Sequence, residues 1–220
     1  MSRSILPCRP LTVALVAAIS SFLLPLTDAT AQDGPAAVDI IRIEEDWKLV
    51  VESPDTNSGS PQIRCVLSPN GDIESTHAAF TLNHHSQPDY QEGGMQLQLW
   101  SGESIKASQA NSKQGVLSHE GETVTWTQSM SLDSGTLTFA VTNGSSTTWG
   151  SFGGEGYLKF TVATERTSLG NYLPSVSLNN SEVGFAANRV ERLELVEVRA
   201  YTADGLYGTA TGGTVTLNDD

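Results

Sequence analysis

The chain has 220 residues, 38% hydrophobic and 17% charged, with 25 acidic against 12 basic side chains and a formal net charge of −13. This is a globular composition, long enough to bury one sizeable core and too short for more than two domains. The charge excludes a broad basic face of the kind that binds nucleic acid or an anionic membrane by displacing counterions.

The first 31 residues read as a cleavable signal peptide. Arg3 and Arg9 precede an apolar stretch over 11–26, and Ala29-Thr30-Ala31 supplies the small-x-small pattern before Gln32. Pro25 interrupts that stretch, which is shorter than the roughly 20 residues of a membrane span. The expected organisation is therefore a signal peptide (1–31), a short polar leader (32–37) and a single domain (38–220), secreted or periplasmic, with no transmembrane segment after processing. Beyond the leader Cys65 stands alone, so no internal disulfide is available and stability must come from a core.

From residue 38 onward one texture repeats: four to eight β-prone residues, then a turn rich in Gly, Asn, Asp, Ser or Pro. Side chains of a strand alternate between faces. That period puts Trp47, Leu49 and Val51 together in 46–52, Ile63, Cys65 and Leu67 in 62–67, and Phe80 and Leu82 in 77–83. Met95, Leu97 and Leu99 follow, and 101–115 reads as a long polar surface connection. Val124, Trp126 and Met130, then Leu137, Phe139 and Val141, mark two strands joined by Asp133-Ser134-Gly135, where glycine supplies the positive φ of a tight hairpin. Residues 150–156 read as a glycine-rich loop and 157–163 as a further β-like segment. No long helical period is present. Ten to twelve strands of this kind predict an all-β, antiparallel β-sandwich.

The segment 188–201, Asn-Arg-Val-Glu-Arg-Leu-Glu-Leu-Val-Glu-Val-Arg-Ala-Tyr, followed by Thr202-Ala203-Asp204-Gly205, resembles the closing strand of concanavalin A-like, laminin G-like jelly rolls. The stretch 149–154 and the strand 95–100 are compatible with it. The resemblance implies a jelly-roll sandwich of two curved sheets, one concave, and often a glycan or protein ligand; it transfers no calcium-binding or catalytic residue.

No complete catalytic or metal constellation is found. Jelly-roll glycosidases of the laminarinase-like group carry Glu-x-Asp-x-x-Glu on one strand, and the nearest match, Glu44-Glu45-Asp46-Trp47-Lys48-Leu49, lacks the last acid. Glu44 and Asp46 can share a face, but the segment reads as the solvated acidic start of a strand. Glu191, Glu194 and Glu197 do not share one parity, and the nearby arginines suggest surface pairing. His84 and His85 point apart in a strand, and no zinc-ligand spacing exists. A Gly-x-Ser-x-Gly elbow is absent, and Gly153-Gly154-Glu155-Gly156 lacks the residues of a phosphate or dinucleotide loop. No cofactor is implied.

Two surfaces remain. One carries Thr123, Thr125, Thr127, Ser129 and Ser131 beside Thr136, Thr138 and Thr142, the ordinary outside of a strand pair. The other presents Gln96, Gln98 and Trp100 opposite the core, with Tyr90 and Trp149 in loops that could flank it; aromatic rings and amides of this kind hold sugars. The functional expectation is a secreted, non-catalytic binding module recognising carbohydrate or a cell-surface partner through a concave sheet. The alternatives are a polysaccharide-cleaving jelly-roll enzyme and a structural or adhesive envelope protein.

Overall fold

A computed structural model describes residues 38–52, 61–82, 94–111, 117, 119–154 and 156–217. The expected signal peptide and leader, Tyr90, and the His84–His85 pair lie outside the described residues. The strands are β1 (Arg42–Val51), β2 (Gln62–Leu67), β3 (Thr76–Leu82), β4 (Met95–Ser101), β5 (Ser104–Asn111) and β6 (Thr123–Asp133). They continue with β7 (Thr136–Ser146), β8 (Gly150–Phe152), β9 (Lys159–Ala163), β10 (Glu182–Phe185), β11 (Val190–Thr202) and β12 (Gly205–Thr214). Among the described residues a short helix, α1 (Pro174–Asn180), and a 3-10 turn at Ala187–Arg189 interrupt them.

The protein is an all-β sandwich of two antiparallel sheets. A seven-stranded sheet runs β12-β11-β1-β6-β7-β8, with β9 also on β7, and a five-stranded sheet runs β10-β2-β3-β4-β5. Alternation positions the core. Ile43, Trp47, Leu49 and Val51 of β1 face Phe80, Leu82, Leu97 and Cys65 from the opposite sheet, all buried. Trp47 and Trp126, opposite each other in the β1–β6 ladder, stack at 6.3 Å with planes 7° apart, and Phe80 meets Trp126 edge-on at 5.7 Å. Truncating an aromatic side chain buried in this way costs about 3–5 kcal/mol.

The hairpin of β6 and β7 closes as expected: Asp133 pairs with Thr136, and Ser134 and Gly135 both take positive φ, 46° and 78°. Four segments depart from the expectation. Residues 101–115 contain β5, an edge strand on β4, which hides its period because both of its faces are largely exposed. Residues 150–156 contain β8, whose Phe152 ring lies over Gly144; a Cβ there would sit 2.4 Å from that ring. Helix α1 spans 7 residues with Pro174 in its first turn, too short to show a period. The segment 188–201 does not close the sheet, because β12 folds back on it through the two-residue turn Ala203-Asp204.

Ladder irregularities set what faces outward. The β1–β11 pairing matches Asp46 with Glu197 and then Trp47 with Leu195, so Val196 is an extra residue, 42% exposed. Such a bulge resets the alternation. Leu193 and Leu195 before it and Val198 after it all point inward, and Glu194, Glu197 and Arg199 are less buried on the other side. This is why a strict two-residue count assigns Glu194 and Glu197 to different faces.

Candidate functional site

Two polar clusters flank β1, one on each face. The inner one centres on Glu45, 0% exposed in the middle of the core. Trp47 Nε1 donates to Glu45 Oε2 at 2.9 Å, Tyr172 Oη donates to Oε1 at 2.7 Å, and the Ser177 hydroxyl of α1 donates to the same oxygen. Gln128, the cross-strand neighbour of Glu45, closes the group; its amide is best turned so that its oxygen accepts from Trp47 Nε1 at 3.1 Å and its nitrogen donates to the Cys65 carbonyl at 3.3 Å. Burial drives the Glu45 pKa up from 4.5 to about 7, and the donors Ser177, Tyr172 and Trp47 limit the rise. Burial, and then the Glu45 charge, raises both the Tyr172 hydroxyl and the Cys65 thiol. Sealed from solvent, Glu45 ties α1 and Tyr172 to the sheet and meets no substrate.

The outer cluster lies on the opposite face of the same strand. Arg199 of β11 is its hub: Nε donates to Glu44 Oε2 at 3.1 Å, Nη2 to Asp46 Oδ1 at 2.9 Å, Nη1 to Glu197 Oε2 at 2.9 Å and also to Asp46 Oδ2. The Tyr201 hydroxyl donates to Glu44 Oε2 at 2.8 Å, and the Arg42 guanidinium sits 3.8 Å from the centre of the Tyr201 ring. Thr127 of β6 donates to Asp46 Oδ1 at 2.7 Å. Partial burial pushes the Asp46 carboxyl upward, but the Arg199 hydrogen bonds and charge, with Thr127, outweigh it and hold the pKa below 3.8. The Arg199 pKa is raised, chiefly by its bonds to Asp46.

Unlike the inner cluster, this one is open. The side chains of Glu44 and Asp46 are 21% and 33% exposed. In the β1–β6 ladder Glu44 stands opposite Ser129 and Arg42 opposite Ser131. Those two serines, with Thr138, Thr142, Tyr157 and Lys159, line a groove of about 330 Å³. The face therefore reads across the strands as hydroxyls, then carboxylates, then guanidinium. Of the residues the sequence singled out, Thr127, Ser129, Ser131, Thr138 and Thr142 lie on this face beside Glu44 and Asp46. What sequence reading missed is Arg199 as their common partner and Glu197 as the third carboxylate, because the Val196 bulge hid their shared side.

The expected sugar face is arranged differently. Gln98 is 9% exposed, and its Oε1 accepts from Trp100 Nε1 at 3.2 Å. Trp100 is half-buried, stacked on His77 at 6.1 Å, with the Arg64 guanidinium 5.5 Å from its ring centre. Burial lowers the pKa of that histidine. Gln96 Oε1 is enclosed without a partner among the described residues. Trp149 does not flank these residues; it stacks on Phe152 at 5.2 Å, which in turn stacks on the core residue Phe80. Strands β2 and β3 are buried on both faces, so this side of the five-stranded sheet is not an open platform.

A third polar group sits at the start of β6, where Ser146 and Thr148 donate to Glu122 Oε1 at 2.6 and 2.8 Å. A cleft of about 770 Å³ is bounded by Val38, Asp39 and the loop 164–171, without convergent chemistry. Among the described residues no group of three or more His, Cys, Asp or Glu could hold a metal ion, and no helix is long and apolar enough to cross a membrane.

No protein-family model matches the chain, and no curated protein does. Among solved structures it is similar to SCP-B, a member of the eqolisin family of peptidases, in a complex with the tripeptide Ala-Ile-His: 12% identity, 83% of this chain and 85% of that one covered, TM-score 0.30. That protein is described as a peptidase; the expectation of a non-catalytic binding module is corrected on the packing of this chain's own residues. The physical reason is in the packing: the Gln98 amide and the Trp100 indole that a sugar would need are committed to each other, and the indole also to His77 and Arg64.

Proposed function

We propose that the protein is a carboxylate-dependent hydrolase of polymeric glycans, working outside the cytoplasm on the outer face of the seven-stranded sheet. The observation that carries the reading is the placement of Glu44 and Asp46 on one open face, beside a hydroxyl-lined groove that Ser129 joins to them. Residues two apart on a strand stand about 7 Å apart along the backbone, a spacing that lets two carboxyl groups flank one glycosidic bond. Hydrolysis of an acetal needs one carboxyl group that protonates the leaving oxygen and one that stays anionic beside the developing positive charge. Asp46, held by Arg199 and Thr127, is the member that keeps its charge, and Glu44, whose Oε2 accepts from Arg199 and Tyr201, is the second carboxyl group proposed to work beside it. The acid missing from position 49 in the laminarinase-like pattern is replaced on this face by Glu197 from the adjacent strand. The groove's hydroxyls and the Tyr157 ring suit the polar rim and apolar face of a sugar.

Reducing-end release from a panel of algal, plant and microbial polysaccharides tests the reading. Release that falls by at least about a hundredfold in both Glu44→Gln and Asp46→Asn, with unchanged far-ultraviolet circular dichroism, is the expected result. No release from any glycan, release unchanged in both variants, or cleavage of protein substrates in place of glycans would each overturn it.

A further inference from the structure

The outer rim of β12 differs from every other sheet rim described. The five-stranded sheet ends in β10, four residues with Glu182, and in β5, which carries Lys106. The far side of the seven-stranded sheet ends in β8 and β9, three and five residues long, the second with Lys159. Shortness and charge are the ordinary means of keeping an edge from pairing with another chain. By contrast, β12 runs for 10 residues, Gly-Leu-Tyr-Gly-Thr-Ala-Thr-Gly-Gly-Thr, without a charge or a proline. Among the described residues its only strand partner is β11. Leu206 and Tyr207 are 58% and 60% exposed, and after an irregularity at Tyr207 the ladder is regular from Gly208 to Thr214.

We infer that β12 pairs edge to edge and antiparallel with β12 of a second copy of this chain, joining two seven-stranded sheets into one. Charge singles out this rim as the place where two copies can meet. Two copies of a chain with net charge −13 repel each other over most of their surface, and an uncharged rim lets them meet backbone to backbone. The same lack of charge leaves nothing to recruit a basic partner. Register selects it too. Pairing about a two-fold axis sets each strand against itself and is closed. With the axis at Ala210, Thr209 stands opposite Thr211, Gly208 opposite Gly212, and Tyr207 opposite Gly213. Small residues thus meet small ones, and the one aromatic position meets a glycine, a cross-strand combination that shelters exposed glycine backbone.

Sedimentation velocity on the intact protein over a concentration series through the micromolar range tests the inference, alongside Ala210→Lys and Thr211→Lys. The expected result is a reversible monomer–dimer equilibrium in the parent, weakened at least about tenfold in each variant, with circular dichroism unchanged and hydrogen exchange at 208–214 slowing with concentration only in the parent. A parent that stays monomeric throughout, or a dimer that both variants leave intact, overturns it. Fast exchange at 208–214 in a dimeric parent does the same.

Discussion

On the inner face of β1, Glu45 is closed in by Trp47, Tyr172, Ser177 and Gln128, while one residue on, Asp46 looks outward to Arg199 and Thr127. Both carboxyl groups accept several hydrogen bonds, yet their pKa values move in opposite directions. Desolvation governs the first, which rises to about 7; a guanidinium governs the second, which falls. Donors without charge do not make up for lost water, whereas an ionic partner does. The strand thereby separates a carboxyl group that organises the interior from one available for chemistry, without any spacer beyond the alternation of the pleat.

The largest expected effect comes from removing the inner member. Glu45→Ala strands the Tyr172 and Ser177 donors and leaves a cavity in the core, and should cost about 3–5 kcal/mol of stability, read as a lower urea midpoint. If the loss were no greater than that of Asp46→Ala, the inside–outside distinction would be broken.

Next in size is the pH dependence. A carboxyl group whose folded pKa lies above its unfolded value stabilises the fold fully below about pH 4.5, and that contribution is lost as pH rises through about 7. For Glu45 it amounts to about 3 kcal/mol. Asp46 has the opposite sign: its contribution is present above its unfolded value of 3.8 and disappears as pH falls below it. Stability should therefore peak in mild acid, and urea midpoints measured from pH 3 to pH 8 in Glu45→Gln should lose the decline toward neutrality while keeping the decline in strong acid.

Smaller changes sharpen the outer side. Arg199→Met leaves Glu44, Asp46 and Glu197 facing one another and should cost about 2 kcal/mol, because the group is partly solvated; the loss should shrink with added salt. Thr127→Val removes a single hydrogen bond to Asp46 and should cost about 1 kcal/mol. Its clearer readout is an upward move of the Asp46 titration followed by carbon-detected NMR.

The sandwich itself was legible because its core obeys the two-residue period: Trp47, Leu49, Val51, Phe80, Leu97, Trp126 and Phe139 all point inward where alternation places them. The hairpin at Ser134-Gly135 was legible because its turn chemistry is local. Less could be read where a residue's surroundings come from distant chain. Glu45 has inward parity in the same alternation as Trp47, but an acid is taken for a surface residue until Tyr172 and Ser177 are seen to enclose it. Edge strand β5 shows no period because neither of its faces is sealed. Half of the outer site was legible, as the hydroxyl array and as the Glu44–Asp46 pair; that these form one surface depends on strand order, which no local pattern carries.

Val196 is a phase shifter. Deleting it would close the bulge: Leu195 opposite Trp47 and Glu197 opposite Asp46 would become consecutive pairs, and Glu197, Val198 and Arg199 would keep their faces. A ladder that instead ran in step through Val196 would turn Glu197 and Arg199 toward the interior and Val198 to water, so that the strand would have to bury a guanidinium. A lineage that lost this single codon would thus keep the outer cluster and lose only the local kink, and substitutions at the same position, such as Val196→Thr, should pass almost unnoticed.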